Sequence, residues 1–159
     1  MDGVFEVISA VAIILLIYIL FVKAAKPIYD LNEWSGRLWQ WAEDNGVSRR
    51  KLPRYDENIA NLKELDISFR NLEDIPSELC NVIGLTKLIA NGNRLSSIPK
   101  EVGNLINLKE LDLSSNLLVS LPDEITNLKL DSFFISDNPN LVLTKSQEEW
   151  IKNIKEVEI

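Results

Sequence analysis

Aliphatic residues follow the spacing L-x-x-L-x-L in the second half of the chain, and this spacing returns about every 23 residues. Copies begin at Leu62, Leu85 and Leu108, and a fourth begins one residue early at Leu130. An aliphatic residue followed by proline separates the copies, at Ile75-Pro76, Ile98-Pro99 and Leu121-Pro122. A fixed period of this length predicts a solenoid, in which successive units stack side by side.

Each unit is too small to bury its own apolar residues. The repeated segment predicts one short strand with inward-pointing leucines, so that stacked units build a parallel sheet over a continuous core. An asparagine follows the strand at Asn93, Asn116 and Asn138, where its amide can bond backbone groups of the adjoining turn. Arg70 takes this position in the first unit, which is therefore either an edge unit or a unit in which Asn71 substitutes with altered geometry. The prolines fix φ in the outer segment, where no ladder N–H is needed.

These features resemble the leucine-rich repeat, in a 23-residue form with a proline in its convex half that is common in bacterial and intracellular proteins. The resemblance covers residues 62–143, about half the chain. It implies an α/β fold, a short solenoid of about four repeats with a parallel sheet on its concave face. It also implies that the residues between the inward leucines face the concave surface, and that the domain binds partners.

A helical cap is predicted before the repeats, because the first unit would otherwise expose its apolar core. Residues 31–45, within a linker and cap segment of residues 27–61, have the spacing of one helix that Asn45-Gly46 ends. Trp39 lies away from its apolar face. The residues that share this face are Trp34, Leu38, Trp41 and Ala42.

A second cap is predicted in residues 144–159, as a helix over residues 147–158. Ser146 fits the N-cap and Glu149 the N3 position of a capping box. The apolar residues that recur at helical spacing are Trp150, Ile151, Ile154 and Val157. This helix would close the last repeat.

An almost wholly apolar stretch, residues 4–22, precedes the repeats. Nineteen residues at 1.5 Å rise cover about 28 Å, close to the thickness of a bilayer core. A secretory signal peptide is the alternative, but Asp2 and Glu6 stand where such a peptide carries Lys or Arg. Residues 1–26 therefore predict a single transmembrane anchor in contact with the lipid bilayer.

Lysines on one flank of this stretch predict its orientation. Lys23 and Lys26 follow it, whereas the preceding flank is acidic. The excess of positive charge on the cytoplasmic side of membrane proteins places the N-terminus outside and the repeats in the cytoplasm, with a bacterial inner membrane as the expected location. The single cysteine, Cys80, agrees, because a secreted domain of this size often has disulfides.

Five residues are candidates for packing in or at the membrane: Glu6, Ser9, Ala12, Tyr18 and Trp39. Glu6 either meets an intramembrane partner or lies at the level of the outer headgroups. Ser9 and Ala12 are small enough to let another helix approach closely. Tyr18 is a mildly polar position in the apolar stretch, and Trp39 could contact the interface, where tryptophan is favoured.

Composition argues against an enzyme and against nucleic-acid binding. The chain has 24 Asp and Glu, 17 Lys and Arg and no His, with a net charge of −7. An acidic domain repels nucleic acid, and histidine is the commonest general base and metal ligand. Cys80 is expected to be a packed residue. We therefore predict no catalytic residue, cofactor, metal or small-molecule substrate.

The candidate partner-binding residues lie between the inward leucines, on the concave face: Glu64, Asp66, Phe69, Lys87, Ile89, Glu110, Asp112 and Phe134. Phe69, Ile89 and Phe134 form an apolar set with a largely acidic rim, which predicts a partner with basic contact residues. Phe69 and Phe134 could instead pack against the caps.

The short connection between the apolar stretch and the repeats predicts a site of action near the bilayer. The favoured function is a non-enzymatic accessory or scaffold subunit that docks on a larger membrane protein complex. The alternative is a single-pass, receptor-like recognition protein that binds a transient peptide or surface ligand.

Overall fold

The computed structural model describes residues 33–53, residue 59 and residues 61–159. The predictions for the apolar stretch, its orientation and its packing residues lie outside this range, namely residues 4–22, Lys23, Lys26, Glu6, Ser9, Ala12 and Tyr18. Within the described range, no helix has both the length and the apolar character that crossing a bilayer requires.

Five short parallel strands form one sheet and follow each other in sequence order. They are Glu64–Asp66 (β1), Lys87–Ile89 (β2), Glu110–Asp112 (β3), Ser132–Phe134 (β4) and Glu156–Glu158 (β5). Each strand pairs in register with the next, so equivalent residues of successive units lie side by side. This sheet confirms the α/β solenoid, with one strand more than the four repeats predicted.

The middle residue of every strand points into the core: Leu65, Leu88, Leu111, Phe133 and Val157. The first four are at most 3% exposed, and Val157 is partly buried in the last strand. Together with the other aliphatic residues of each unit they form one continuous apolar cluster. Since no single unit encloses its own apolar side chains, stability depends on contact between neighbouring units.

Among the described residues, three 3₁₀ helices return the chain on the convex side: Ser77–Asn81, Lys100–Asn104 and Asp123–Asn127. Pro76, Pro99 and Pro122 precede them, with φ of −69°, −66° and −67°. These values match the φ that the proline ring imposes, and a residue at this position needs no intrahelical N–H bond. The proposed role of the prolines is confirmed.

The fourth unit absorbs its missing residue just after the third 3₁₀ helix. Val82 and Leu105, which follow the first two helices, have ψ of 66° and 56° and begin a turn. Leu128 follows the third helix with ψ of 142°, in extended conformation. The chain therefore reaches β4 without the turn, and β4 keeps its register with β3.

Asn93, Asn116 and Asn138 form an asparagine ladder. Their amides bond backbone groups next to the strand, as predicted, and they also join successive units. Asn116 Nδ2 donates to the Leu113 carbonyl of its own unit at 3.0 Å and to the Ala90 carbonyl of the preceding unit at 3.1 Å. The Asn116 side-chain oxygen accepts the Leu95 N–H at 3.1 Å. Each such amide thus satisfies backbone groups of two units.

Arg70 takes the place of asparagine in the first unit and connects to the N-terminal cap. Its Nη1 donates to the Gly46 carbonyl at 2.7 Å, and its backbone N–H donates to Asn93 Oδ1 at 3.0 Å. The first unit is therefore joined to a repeat on one side and to the cap on the other.

The helix predicted before the repeats is present as α1, Trp34–Asp44. Leu38 and Ala42 are fully buried, and Asn45 and Gly46 follow the helix, with φ of +65° at Gly46. The three tryptophans of the helix are partly buried against the core, including Trp39, which the sequence places on another face.

The C-terminal prediction is wrong in both the N-cap and the extent of the helix. Helix α2 spans Lys145–Ile151, and its capping box uses Thr144 and Gln147 instead of Ser146 and Glu149. Gln147 Nε2 also donates to the Leu121 carbonyl at 3.0 Å, which fixes this choice of cap.

The residues after α2 form β5 and not more helix. Ile154, Val157 and Ile159 repeat the L-x-x-L-x-L spacing a fifth time, and residues 156–158 pair in parallel with β4. A spacing of three residues is common to a helix face and to this motif, so the periodicity alone does not distinguish them.

Candidate partner-binding face

Two rows of side chains cross the concave face, one from the first and one from the third residue of each strand. The leading row contains Glu64, Lys87, Glu110, Ser132 and Glu156. The trailing row contains Asp66, Ile89, Asp112, Phe134 and Glu158. Neighbouring residues in a row lie on adjacent strands, about 4.8 Å apart along the sheet.

Most polar side chains of the leading row bond to another side chain of the same row. Lys87 Nζ lies 2.7 Å from Glu110 Oε1 on the next strand. This hydrogen bond is the main reason that the pKa of Lys87 is raised above its usual value. At the other end, Ser132 Oγ donates to Glu156 Oε2 at 2.8 Å. Most polar groups of this row thus have a partner within the sheet.

Asp66, the first residue of the trailing row, is held by a lysine from outside the repeats. Lys51 Nζ lies 2.7 Å from Asp66 Oδ2, and Ser68 donates both its N–H and its hydroxyl to Oδ1. The hydrogen bond from Lys51, followed by those from Ser68, lowers the pKa of Asp66 well below its usual range. A basic partner residue would therefore compete with Lys51 at this position.

The rest of the trailing row alternates apolar and acidic residues: Ile89, Asp112, Phe134 and Glu158. Ile89 and Phe134 are partly exposed. Asp112 Oδ1 accepts the N–H and hydroxyl of Ser114, at 3.0 and 2.6 Å. Glu158 Oε1 accepts the hydroxyl of Ser136 at 3.2 Å. Within the described part of the chain, neither carboxylate is in an ion pair.

Phe69 lies just beyond β1, and its side chain is largely exposed. Its backbone has a φ of +53°, and 76% of the residue is exposed. The ring covers Gly92, since Phe69 Cε1 and Cδ1 occupy the space that a Cβ at this position would take. Phe69 therefore adds an exposed aromatic surface beside the trailing row, at its β1 and β2 end.

Two residues singled out in the sequence lie away from the concave face. Trp39 Nε1 donates to the Pro53 carbonyl at 2.9 Å, so this side chain helps to hold the cap, and its contact with a membrane stays a prediction. Cys80 is 2% exposed, and burial, with smaller contributions from Glu101 and Glu78, raises the pKa of its thiol to about 12. A protonated, buried thiol is a poor nucleophile.

Sequence reasoning missed three residues of this face. Glu156 and Glu158 belong to β5, which the fifth copy of the L-x-x-L-x-L spacing could have indicated. Lys51 lies outside the repeats, and nothing in its local sequence signals the contact with Asp66. Over the described residues, no group of three or more His, Cys, Asp or Glu is placed to hold a metal ion.

Comparison with known proteins agrees with this architecture. Two profiles of the leucine-rich repeat family match, one over residues 83–139 and the other over residues 61–82. Among curated proteins, none matches the chain significantly.

Solved structures include a similar leucine-rich repeat protein from Leptospira interrogans. It is 30% identical over 62% of this chain, with a TM-score of 0.55. The match spans a quarter of that longer protein, 25% of its length. Leucine-rich repeat domains generally mediate protein–protein interaction. The repeated spacing, the parallel sheet and both family matches show that this chain carries a leucine-rich repeat domain.

Proposed function

We propose that this chain is a non-enzymatic interaction protein that docks through its concave face on a subunit of a larger membrane complex. The trailing row is the observation that carries this proposal. Partly exposed Ile89 and Phe134 alternate there with Asp112 and Glu158, which have no ion-pair partner in the described chain. Apolar side chains beside unneutralised charge are typical of a surface that a partner covers.

The charge of this face defines the partner further. Of the ten residues in the two rows, six are acidic and only Lys87 is basic. Such a surface favours a protein with basic contact residues and repels nucleic acid.

Attachment to a membrane is the second part of the proposal. Residues 4–22 would form a single-pass anchor in a bacterial inner membrane, with Lys23 and Lys26 on the cytoplasmic side together with the repeats. Few residues separate this stretch from α1, so the repeats would act close to the bilayer. Partners with cytoplasmic loops near the membrane would then meet the concave face at a raised effective concentration.

The test is gentle detergent extraction of the tagged chain from its native source, followed by identification of co-purifying proteins. We expect a stoichiometric set of integral membrane proteins with the wild type and their loss with Phe134→Glu. Val142→Glu is the matched control, because Val142 is 72% exposed and lies outside both rows. Both variants should keep the thermal transition of the wild type. Equal retention of companions by the two variants would contradict the assignment of the concave face.

Orientation needs an engineered thiol, because Cys80 is buried. Ser120→Cys places a reactive group on an exposed loop position. A membrane-impermeant maleimide should label this variant only after the inner membrane is permeabilised. Labelling of intact spheroplasts, together with the absence of stoichiometric companions, would instead support a receptor that samples a transient ligand outside the cytoplasm.

A further inference from the structure

We infer that the partner segment bound by the trailing row is an α-helix with a basic residue at every seventh position and an apolar residue midway between them. This inference rests on the proposed function and names the chemistry of its partner. It is carried by the alternation of apolar and acidic side chains from β2 to β5, at Ile89, Asp112, Phe134 and Glu158.

The spacing of the sheet sets the period that a ligand must match. Strands lie about 4.8 Å apart, so residues two strands apart are separated by about 9.6 Å. This is the separation between the Asp112 and Glu158 positions, and also between the Ile89 and Phe134 positions. A segment that lies along the row must therefore present charge every 9.6 Å or so, with apolar contacts halfway between.

Extended segments do not have this period. Side chains on one face of a β-strand lie about 6.7 Å apart at alternate residues and about 13 Å apart at every fourth. A polyproline II helix brings every third residue to the same face after about 9.3 Å, which fits the two carboxylates. It has no residue on that face halfway between, however, and so leaves Ile89 and Phe134 without a partner.

An α-helix meets both requirements. Seven residues advance about 10.5 Å and return to nearly the same face, and the residues three or four positions on lie midway on that face. The mismatch of about 1 Å per period is small compared with the reach of a lysine or arginine side chain. Basic residues would then meet Asp112 and Glu158, and the apolar residues between them would meet Ile89 and Phe134.

The neighbouring groups restrict such a helix to the trailing row. Lys87 in the leading row would repel a basic residue, and Glu110 already accepts its ammonium group at 2.7 Å. Lys51 likewise occupies Asp66 at the β1 end of the trailing row. Two carboxylates and two apolar side chains thus remain for the ligand, enough for nearly three turns, or about 14 Å, from the first contact to the last.

The experiment measures fluorescence anisotropy of labelled peptides with the full chain in a neutral maltoside detergent. One helical peptide carries lysine at every seventh position with leucine midway. A second has the same composition with lysine at every fourth position, and a third is a polyproline peptide with lysine at every third. We expect the first to bind at least about tenfold more tightly than the other two.

Reversing the charge of the two carboxylates tests whether the peptide binds to the trailing row. The double variant Asp112→Lys and Glu158→Lys should weaken the first peptide at least about tenfold, and a peptide with glutamate in place of lysine should recover the loss. Glu156→Lys is the matched control, since Glu156 is an exposed residue of the same strand in the leading row and should change the affinity less than about twofold.

Several outcomes would overturn the inference. Equal affinity for the three peptides would indicate unspecific attraction to an acidic surface, and tightest binding of the polyproline peptide would replace the helix. Binding that survives Phe134→Glu would place the helix elsewhere. If no peptide binds while Phe134→Glu still removes the native companions, the helix is wrong and the proposed function stands. If that substitution removes no companions either, both fail.

Discussion

The asparagine ladder and the trailing row both cross the solenoid with one side chain per unit, yet they differ in how far the residue is constrained. Asn93, Asn116 and Asn138 are one residue type, because each amide bonds backbone groups of two units. The trailing row changes from aspartate to isoleucine, back to aspartate and then to phenylalanine along the same sheet. A position that completes the fold repeats, whereas a position that faces outward is free to vary with the partner.

The largest expected effect on stability distinguishes the buried residues of the sheet from those on its concave face. Leu111 is 1% exposed in the middle of β3, and Leu111→Asp buries a carboxylate among aliphatic neighbours. We expect the free energy of unfolding to fall by several kcal/mol, enough to abolish the cooperative unfolding transition measured by circular dichroism. Ile89→Asp introduces the same residue in the trailing row and should change the free energy of unfolding by less than about 1 kcal/mol relative to wild type. Similar loss of folding in both variants would contradict the assigned sides of the sheet.

Next in size is the loss of one ladder amide. Asn116→Leu keeps the side-chain size but leaves the Leu95 N–H without its acceptor. It also removes one of the two amide bonds that each of the Ala90 and Leu113 carbonyls accepts, since Asn93 and Asn138 keep the others. We expect the free energy of unfolding, measured in urea, to fall by about 1–3 kcal/mol. Asn138 is partly exposed, so water can replace its bonds and the same change there should cost less. Equal losses of stability at Asn116 and Asn138 would indicate that burial of the amide does not determine its contribution.

A smaller effect on stability is expected at Gly92, which lies between the trailing row and the asparagine ladder. Its φ of +65° is unfavourable for any residue with a Cβ, and the Phe69 ring occupies the space that a Cβ would take. Gly92→Ala should therefore reduce stability by about 1–2 kcal/mol. In a Phe69→Ala background only the backbone cost remains, so the effect of the glycine change should become smaller. An unchanged cost would show that the ring moves away freely.

The smallest effect concerns the ion pair of Asp66 with Lys51. Because the folded pKa of Asp66 lies below its unfolded value of about 3.9, its contribution is present above that pH and lost as pH falls through the folded pKa. The Asp66 side chain is 45% exposed, so Asp66→Asn should cost less than about 1 kcal/mol at pH 7. Urea unfolding at pH 7 and pH 3 should show a smaller difference from wild type at the lower pH. If the difference in stability between Asp66→Asn and wild type is the same at both pH values, the loss does not come from the charge of Asp66.

The sequence predicts the framework well because packing and backbone satisfaction recur in every unit. The strand leucines, the asparagine ladder and the convex prolines all follow from spacing alone. The prediction fails at the C-terminal end, where two physical requirements share one spacing. Ile154 and Val157 fit a helix face as well as a strand motif, and pairing with β4 decides between them.

The candidate face is only half predictable for a related reason. The placement of Asp112 and Phe134 follows from the repeat, but their availability depends on contacts from distant parts of the chain. Lys51 neutralises Asp66 although the two are 15 residues apart and belong to different segments. The capping box is similar, since Thr144 with Gln147 and Ser146 with Glu149 fit the same pattern, and the bond from Gln147 to Leu121 favours the first.

The shortened fourth unit shows where this solenoid tolerates a change of length. Residues 128–129, before Leu130, replace the three residues that precede Leu85 and Leu108 in the other units, namely 82–84 and 105–107, and the strand register is unaffected. This one-residue shortening alters neither the asparagine ladder nor the register of the concave rows. A peptide tag or a fluorescent label inserted after Asn104, in the equivalent junction before β3, should therefore report on the domain without disturbing its binding surface.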